Sequence, residues 1–506
     1  MIERGRFRPL SVAGESASGA SVSGAAALPG AAPVPGAAPV PGSPARLPLF
    51  TASGPDAIVA WRQDGPVTAA TMLADVEALA DRLPLRGPMI NLCGDRYRFA
   101  VAFCAAACRD HTSLLPPNRS PTMIGQLRES WPELYAVADD ASETLDVPTI
   151  DWEAGERRSL AARASVAETA ATVVSSATAF VIPTIAVDQV TARVFTSGST
   201  GRPTAHDKLW GALVANVRAE AKRLEISGDR PTTLVGTVPA QHMYGFESTV
   251  LLALHNGIAF HSARPFFAAD IVASLAAVDG DRVLVTTPFH LRNLIESGVE
   301  APPLRLVLSA TAPLSPALAA QVEARLRAPL LEIYGCTEAG QLATRRTVAD
   351  EPWWTFDGVR VDQRTDGWYA SGGHVAEPTR LADVLMLEDA EHFRLLGRDN
   401  DLVNIAGKRT SIGHLDHLLN AIPGIRDGAF VDPGEMSGNA DRPQRLVAFF
   451  VSETLDERAV LATLREMTDP VFLPRPVYRV AALPRSPTGK LPRTALLELA
   501  AACRKR

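Results

Sequence analysis

The sequence predicts an α/β protein with a large N-terminal domain of parallel and mixed sheets flanked by helices, followed by a small C-terminal α+β domain. Short apolar runs typical of buried strands alternate with stretches of helical periodicity, which is the pattern of βαβ units. The chain has 506 residues, too many for a single hydrophobic core. The pattern changes near Gly397, where we expect the domain boundary.

The elements follow in three parts. Residues 1–46 are dominated by Ala, Gly, Pro and Ser and bury too little apolar surface to fold, so we expect a disordered arm. Residues 47–397 form the predicted large domain, with helices at 69–83, 98–107, 208–224 and 316–326 and strands at 88–92, 113–115, 233–238, 282–286, 304–308 and 330–333. Residues 398–506 form the predicted small domain, with strands at 402–405, 428–431 and 445–451 and helices at 412–419, 457–467 and from 492.

Composition excludes several classes of function. The net charge of −6 gives no electrostatic reason to expect nucleic acid or an anionic membrane as a partner. No run of eighteen or more apolar residues is free of charges, so no membrane insertion is expected. The five cysteines are irregularly spaced and suggest neither a disulfide framework nor a zinc site. A reducing compartment fits best, and we predict a cytoplasmic protein.

The strongest local motif is a glycine-rich turn that follows the apolar residues Val194 and Phe195. It comprises Thr196, Ser197, Gly198, Ser199, Thr200 and Gly201, and a helix is expected after Pro203. Glycines allow close backbone approach, so N–H and hydroxyl groups can converge on phosphates. The alternative is a flexible linker. A Walker P-loop is excluded because the two glycines are three apart and no Lys-Ser/Thr follows.

Three further segments carry residues that could also contribute to a nucleotide site. Residues 334–338 (Tyr-Gly-Cys-Thr-Glu) follow an apolar run, and the carboxyl end of a parallel strand is where ligands bind. An aromatic ring there can stack on a purine, a hydroxyl can contact phosphate and a carboxylate can hold Mg²⁺; the alternative is a helix N-terminus. Residues 397–398 (Gly-Arg) precede Gly407-Lys408-Arg409, and residues 484–493 place Lys490 on a loop shaped by glycine and proline.

Together, in this order and at these separations, the four motifs resemble those of the adenylate-forming superfamily of acyl-CoA synthetases, peptide-synthetase adenylation domains and luciferase. The resemblance runs from about residue 50 to the C-terminus. It implies an enzyme that uses ATP and Mg²⁺ to convert a carboxylic acid into an acyl-adenylate, with pyrophosphate release, and then passes the acyl group to a thiol.

A narrower resemblance concerns residues 195–203 with His206, Lys208 and Trp210, and residues 239–247. These are similar to the ligases of aryl-polyene and xanthomonadin-type pigment pathways. That resemblance implies an aryl acid such as a hydroxybenzoate as substrate and an acyl carrier protein as acceptor. The alternatives are an acyl- or aryl-CoA synthetase that uses free CoA and a non-catalytic nucleotide- or acyl-binding protein on the same fold.

The superfamily resemblance also implies roles for individual residues. The implied catalytic residues are Lys490, His242, Thr337 and Glu338, with Glu338 as the Mg²⁺ ligand. The implied nucleotide site comprises Thr196, Ser197, Gly198, Ser199, Thr200, Gly201, Ala310, Thr311, Tyr334, Thr337, Asp383, Arg398 and Lys490. The implied substrate pocket is formed by His242, Met243, Tyr244 and Gly245. Gly407, Lys408 and Arg409 are implied to lie on the side of the site where the thiol acceptor binds. In relatives the small domain rotates about a hinge, which corresponds to Asn400.

At three positions the sequence leaves a second interpretation open. Asp383 follows Leu-Ala where the superfamily has Thr-Gly, so it can instead be a surface acid, and His242 can instead be a core histidine. Thr204 stands after Pro203, where many relatives have lysine. Either Lys208 or His206 replaces that lysine, or its charge is dispensable.

Overall fold

A computed structural model of the chain describes residues 45–140, 146–152, 180–197, 203–398, 402–405, 408–433, 445–485 and 491–504. The arm predicted at residues 1–46 lies outside the described residues except for its last two. Of these, Arg46 already begins the first strand. The described helices include none that is long and apolar enough to cross a membrane.

The first part of the chain forms a six-stranded sheet with its covering helices. This part of the chain contains the strands β1 (Arg46–Pro48), β2 (Ile58–Arg62), β3 (Gly65–Thr68), β4 (Met89–Asn91), β5 (Ser113–Leu115), β6 (Tyr135–Ala138), β7 (Thr149–Asp151), β8 (Thr184–Ala186), β9 (Val190–Ser197) and β10 (Pro203–Leu209). Six of them form the sheet, and β2 and β3 belong to the eleven-stranded sheet described below. The helices are α1 (Ala69–Ala80), α2 (Arg96–Cys108), α3 (Pro121–Ser130) and α4 (Trp210–Arg223). The sheet order is β10-β9-β5-β4-β6-β7, parallel except for the β9–β10 hairpin, and β1 pairs with β8.

Side-chain caps explain where three of these helices begin. The Thr68 hydroxyl accepts from the backbone N–H of Thr71 at 3.2 Å and so caps α1. Asp95 caps α2 and Ser120 caps α3 in the same way. Each cap satisfies a backbone donor that has no partner within the helix. The predicted helices at 69–83 and 98–107 are therefore confirmed, with small shifts at their ends.

The middle of the chain forms an eleven-stranded sheet. Its new strands and those of a neighbouring small sheet are β11 (Thr232–Gly236), β12 (Ala259–His261), β13 (Asp281–Thr286), β14 (Leu306–Ser309), β15 (Leu330–Cys336), β16 (Gly340–Arg345), β17 (Trp353–Thr355), β18 (Val359–Arg364), β19 (Gly367–Gly372), β20 (Val375–Leu381), β21 (Asp383–Leu387) and β22 (His392–Arg398). The helices are α5 (Met243–Gly245), α6 (Leu252–Asn256), α7 (Ala268–Ala276), α8 (Pro288–Ser297) and α9 (Pro316–Leu326), with a π-helical stretch, Phe246–Leu251, between α5 and α6.

The order of the large sheet places the candidate site. It runs β21-β22-β17-β16-β15-β14-β13-β11-β12-β2-β3, and β18-β19-β20 form a separate sheet. Neighbours from β15 to β2 are parallel. The carboxyl ends of these strands therefore meet at one edge, where ligands bind in open α/β sheets.

The C-terminal part contains two smaller sheets and three helices. Its elements are β23 (Leu402–Ile405), β24 (Lys408–Ser411), α10 (Ile412–Asn420), β25 (Asp427–Val431), β26 (Val447–Val451), α11 (Glu457–Met467), β27 (Val477–Arg479) and α12 (Arg493–Arg504). The predicted elements here are confirmed to within about two residues. The α/β fold class is confirmed as well, whereas the domain boundary between residues 397 and 398 stays a prediction.

Two predictions about local structure were wrong. The helix expected at 208–224 begins at Trp210, because Pro203–Leu209 pairs with β9 as strand β10. No helix therefore follows Pro203 directly. Tyr334 does not lie beyond a strand, because β15 continues to Cys336 and pairs with β16 across a register shift. In both places, pairing with the adjacent strand of a hairpin overrides the pattern of apolar residues.

The main core joins the two large sheets. Phe103 of α2 lies 4.9 Å from the ring of Phe246 and 6.2 Å from that of Trp210, measured between ring centroids. All three side chains are buried. Because α2 contacts β4 and β5 of the six-stranded sheet, while the π-helical stretch that begins at Phe246 contacts β11 of the eleven-stranded sheet, these aromatic contacts hold the two layers together.

Candidate active site

Tyr334, Asp383 and Arg398 come together at one end of the eleven-stranded sheet. Asp383 opens β21 and faces Arg398, the last residue of β22, in the antiparallel register. The Tyr334 hydroxyl donates to the Asp383 carboxylate at 2.8 Å. Three residues that were predicted for the nucleotide from separate motifs are therefore neighbours.

The surroundings of Tyr334 hold its ring in place. The ring is 7% exposed and lies 5.6 Å from Trp353 and 5.5 Å from Phe393, measured between centroids. Both neighbours are on strands of the same sheet. The ring and its hydroxyl are fixed from two sides, and the predicted stacking on adenine stays a prediction.

The turn after β14 contains Ala310 and Thr311. Thr311 has a φ of 80°. A β-branched residue rarely adopts positive φ, and such strain is found mainly at functional sites, where the surrounding structure maintains it. The turn lies at the carboxyl edge of the parallel strands, next to the end of β15.

The predicted substrate pocket lies beside this turn. His242 and Met243 are half-buried, Tyr244 is buried, and the Tyr244 hydroxyl donates to the Leu308 carbonyl at 3.0 Å. Gly245 is required here, because a Cβ atom at this position would lie 2.0 Å from the Pro239 carbonyl oxygen. The segment that carries His242 is therefore fixed against the end of β14.

Arg96 holds the other side of the same segment. Its side chain is fully buried and donates to four backbone carbonyls, those of Gly236, Val238, His261 and Ala263, at 2.7–3.0 Å. Burial lowers the pKa of Arg96 to about 10. The ends of β11 and β12 are thus joined by one side chain that sequence analysis did not single out.

The β9–β10 hairpin carries the glycine-rich turn. Residues 198–202 lie outside the described residues, and the residues on either side of them, Ser197 and Pro203, are register partners. Thr196 Oγ1 lies 2.9 Å from Nε2 of His206. The same ring nitrogen is 3.9 Å from the Glu338 carboxylate. The pKa of His206 is lowered by burial, which the charge of Glu338 opposes in part.

Lys208 contacts the segment 334–338, which contains Thr337 and Glu338. Its side chain is 8% exposed, and Nζ donates to the backbone carbonyl of Glu338 at 2.7 Å. Glu338 and Thr337 lie in the turn between β15 and β16, where both are half-buried. The hairpin and this turn belong to different sheets, and His206 and Lys208 connect them.

Comparison with known proteins identifies the family. The sequence model of the family described as AMP-binding enzyme matches residues 99–366 of the 506. The chain belongs to this family. It is an adenylate-forming ligase.

Similar proteins match a larger part of the chain than the family model does. The ligase is 30% identical over 313 residues to a 4-coumarate–CoA ligase of Halorhodospira halophila, an alignment that covers 58% of this chain and 73% of that protein. The o-succinylbenzoate CoA synthetase of Bacillus subtilis with its acyl-adenylate intermediate is 16% identical, with a TM-score of 0.73, covering 89% of this chain and 98% of that one. ATP-bound MatB from Rhodopseudomonas palustris is 19% identical, with a TM-score of 0.70, covering 89% and 97%. These two structures share the fold.

A magnesium ion fits the Glu338 region of the ligase. Mg²⁺ prefers oxygen ligands and is commonly held by one or two carboxylates together with substrate phosphates. The Glu338 carboxylate is 34% exposed and lies close to the Thr196 hydroxyl through the shared contact with His206. Among the described residues, no group of three or more His, Cys, Asp or Glu could hold a metal without such a substrate.

Several predicted site residues of the ligase lie outside the described residues: Gly198, Ser199, Thr200, Gly201, Asn400, Gly407 and Lys490. Lys408 and Arg409 are described only through the backbone of β24, which pairs with β23. At the end of β24, the Ser411 hydroxyl donates to the Leu396 carbonyl of β22 at 2.6 Å. The predicted acceptor segment is therefore attached to the strand that ends at Arg398.

Proposed function

We propose that the protein activates an aryl carboxylic acid with ATP as an acyl-adenylate, releases pyrophosphate and transfers the acyl group to the thiol of CoA. The observation that carries the proposal is the grouping of Tyr334, Asp383 and Arg398. Asp383 and Arg398 are register partners on facing strands, and residues of these two types can bond the two ribose hydroxyls, while the Tyr334 hydroxyl orients the Asp383 carboxylate.

The choice of acceptor rests on the relatives. The resemblance to pigment-pathway ligases favours an acyl carrier protein, whereas the 4-coumarate–CoA ligase from Halorhodospira halophila, 30% identical, acts with CoA according to its name. We follow the latter for both the aryl acid and the acceptor. The phosphopantetheine arm is common to both acceptors, so the carrier protein is the competing outcome in the test below.

In the first step, a carboxylate oxygen of the acid attacks the α-phosphorus of ATP, and the bond from that phosphorus to the bridging oxygen of pyrophosphate breaks. Catalysis of such a step is mainly positioning and electrostatic stabilisation. Thr337 is assigned to the α-phosphate, Thr196 and the following turn to the outer phosphates, and Lys490 to the attacking carboxylate. A magnesium ion at Glu338 would offset phosphate charge.

In the second step, the thiol sulfur of CoA attacks the acyl carbonyl carbon, and AMP leaves with the bonding electron pair. His242 is assigned to the wall of the acyl pocket, next to the turn that contains Ala310 and Thr311. Gly407, Lys408 and Arg409 are assigned to the acceptor side. Two cationic side chains suit a phosphate group of the acceptor.

The test has two stages. Acid-dependent ATP–pyrophosphate exchange is measured with a panel of hydroxybenzoates, cinnamates and medium-chain acids, and thioester formation is then compared with free CoA and with a phosphopantetheinylated carrier protein. Exchange with an aryl acid and thioester formation with CoA are expected. Thioester formation only with the carrier protein would overturn the choice of acceptor, and no exchange with any acid would overturn the proposed function.

The Lys490→Ala variant tests the assigned catalytic cation. Exchange should fall by roughly 100-fold or more, because one electrostatic contact to the transition state is worth about 10²–10³ in rate. ATP binding, measured separately by calorimetry, should be retained. Lys222→Ala serves as the matched control, since the Lys222 side chain is 74% exposed on α4. Unimpaired exchange in Lys490→Ala would contradict the assignment.

A further inference from the structure

The buried Lys208 contacts the main chain of the turn between β15 and β16. It stands on β10 five residues beyond Pro203, and its ammonium group donates to the main-chain carbonyl of Glu338. At 2.7 Å this is a short charge-assisted hydrogen bond. It reaches a residue 130 positions away in the sequence, on a different sheet.

Glu247 supplies the negative charge for this buried lysine. Glu247 lies in the π-helical stretch, is 2% exposed, and accepts from the Asn216 side chain at 2.7 Å. Burial raises the pKa of Glu247 to about 7, and the charge of Lys208 opposes that rise. A single π-helical turn within a helix is often found at functional sites. Here it places a carboxylate beneath the turn between β15 and β16.

Gly340 makes room for this arrangement. It has a φ of 85°, and a Cβ atom there would lie 3.0 Å from the Asn216 amide nitrogen and 3.1 Å from the Glu247 carboxylate. The buried imidazole of His374 lies beside the same glycine. The charged groups are therefore packed directly under the turn that carries Thr337 and Glu338.

The same strand makes a second contact to this turn. His206 is two residues before Lys208, so both side chains are on one face of β10. His206 lies between the Thr196 hydroxyl and the Glu338 carboxylate. Side chains on one face of β10 therefore set the distance between Thr196, which begins the glycine-rich turn, and Glu338, the predicted magnesium ligand.

We infer that Lys208 is a positioning residue for adenylation: by holding the Glu338 carbonyl, with Glu247 as its counter-charge, it fixes the Thr337–Glu338 turn relative to Thr196 so that MgATP is bound between them. This inference rests on the proposed function. Lys208 acts through Glu338 and does not touch the phosphates.

The experiment compares ATP affinity with and without Mg²⁺ by isothermal calorimetry, together with kcat and KM in the exchange assay and the melting temperature. Lys208→Met removes the charge and the donor, Glu247→Gln keeps the Asn216 contact, and the double variant removes both buried charges. Lys222→Met is the matched control at an exposed lysine. The double variant leaves no uncompensated charge in the core, so it tests the inference if Lys208→Met does not fold.

For Lys208→Met and for the double variant, we expect affinity for ATP with Mg²⁺ to fall roughly 10- to 100-fold, the usual effect of removing a partner that orients a metal ligand. Affinity without Mg²⁺ should change little in either variant. An unchanged Mg²⁺-dependent affinity in both Lys208 variants would overturn the inference.

An equal loss with and without Mg²⁺ would also overturn it, because it would mean that Lys208 binds phosphate directly. A fall in melting temperature alone would assign Lys208 to the core. If wild-type protein gave no acid-dependent exchange, the proposed function would fail, whereas the ATP-binding comparison would still decide the role of Lys208.

Discussion

Asp383 offers a direct chemical test of the nucleotide site. In Asp383→Asn, the amide oxygen can still accept from the Tyr334 hydroxyl, so the contact at 2.8 Å and the fold are retained. What is lost is the negative charge that we propose binds the ribose. A hydrogen bond to a charged group contributes about 1.5–3 kcal/mol. Since each 1.4 kcal/mol is about tenfold in affinity, ATP should bind roughly 10- to 100-fold more weakly.

The assay measures ATP affinity for wild type and variant with ATP, 2′-deoxy-ATP, 3′-deoxy-ATP and 2′,3′-dideoxy-ATP. Wild type should lose affinity as the hydroxyls are removed, and the penalty of the substitution should nearly vanish with the dideoxy analogue. Asp362→Asn, at an acid that is 46% exposed on β18, serves as control. The same penalty with ATP and with the dideoxy analogue would refute the assigned ribose contact.

Three further substitutions follow from buried or strained groups. Burial raises the pKa of Glu220 from 4.5 to about 8; its contribution to stability is therefore complete below 4.5 and is lost as pH rises toward 8. Glu220→Gln should be more stable than wild type by about 3 kcal/mol at pH 7 but nearly equal at pH 4 in urea unfolding, and a pH-independent difference would contradict this. Thr311→Gly removes the strain of a φ of 80° and should raise the free energy of unfolding by about 1 kcal/mol, which a lowered melting temperature would disprove. Asp427→Asn weakens the paired hydrogen bonds from Arg485 at 2.7 and 2.8 Å and should lower the free energy of unfolding by about 2–3 kcal/mol. The control Arg426→Gln removes an exposed ion pair and should lower it by less than about 1 kcal/mol. Equal losses in the two variants would rule out a special role for Asp427.

The parallel strands and their helices could be predicted because each is specified by residues close in sequence. The helix at 316–326 and the strand at 113–115 match the structure residue for residue. The antiparallel strands β16 to β20 were not predicted. They are short and lack the apolar runs by which the parallel strands were recognised, and each pairs with a strand adjacent to it along the chain.

The site residues also differ in whether the nearby sequence indicates their contacts. Asp383 and Arg398 were predicted from the resemblance to the superfamily, and they are register partners in the structure. Lys208 was placed at the start of a helix, and nothing near it in sequence indicates a contact with Glu338. Glu247 does carry a local signal, since it is a lone acid within an apolar run, and such a residue needs a buried partner.

The four carbonyl contacts of Arg96 limit how the substrate pocket can change. Two of these carbonyls, those of Gly236 and Val238, lie shortly before His242 in the chain. The other two lie at the last residue of β12 and just after it, so a backbone shift on one side would leave acceptors on the other side unsatisfied. An unsatisfied buried acceptor costs about 1–3 kcal/mol. Attempts to redirect the enzyme to other acids should therefore succeed through side-chain exchange at Met243 and its neighbours, and insertions between residues 236 and 242 should abolish folding before they alter selectivity.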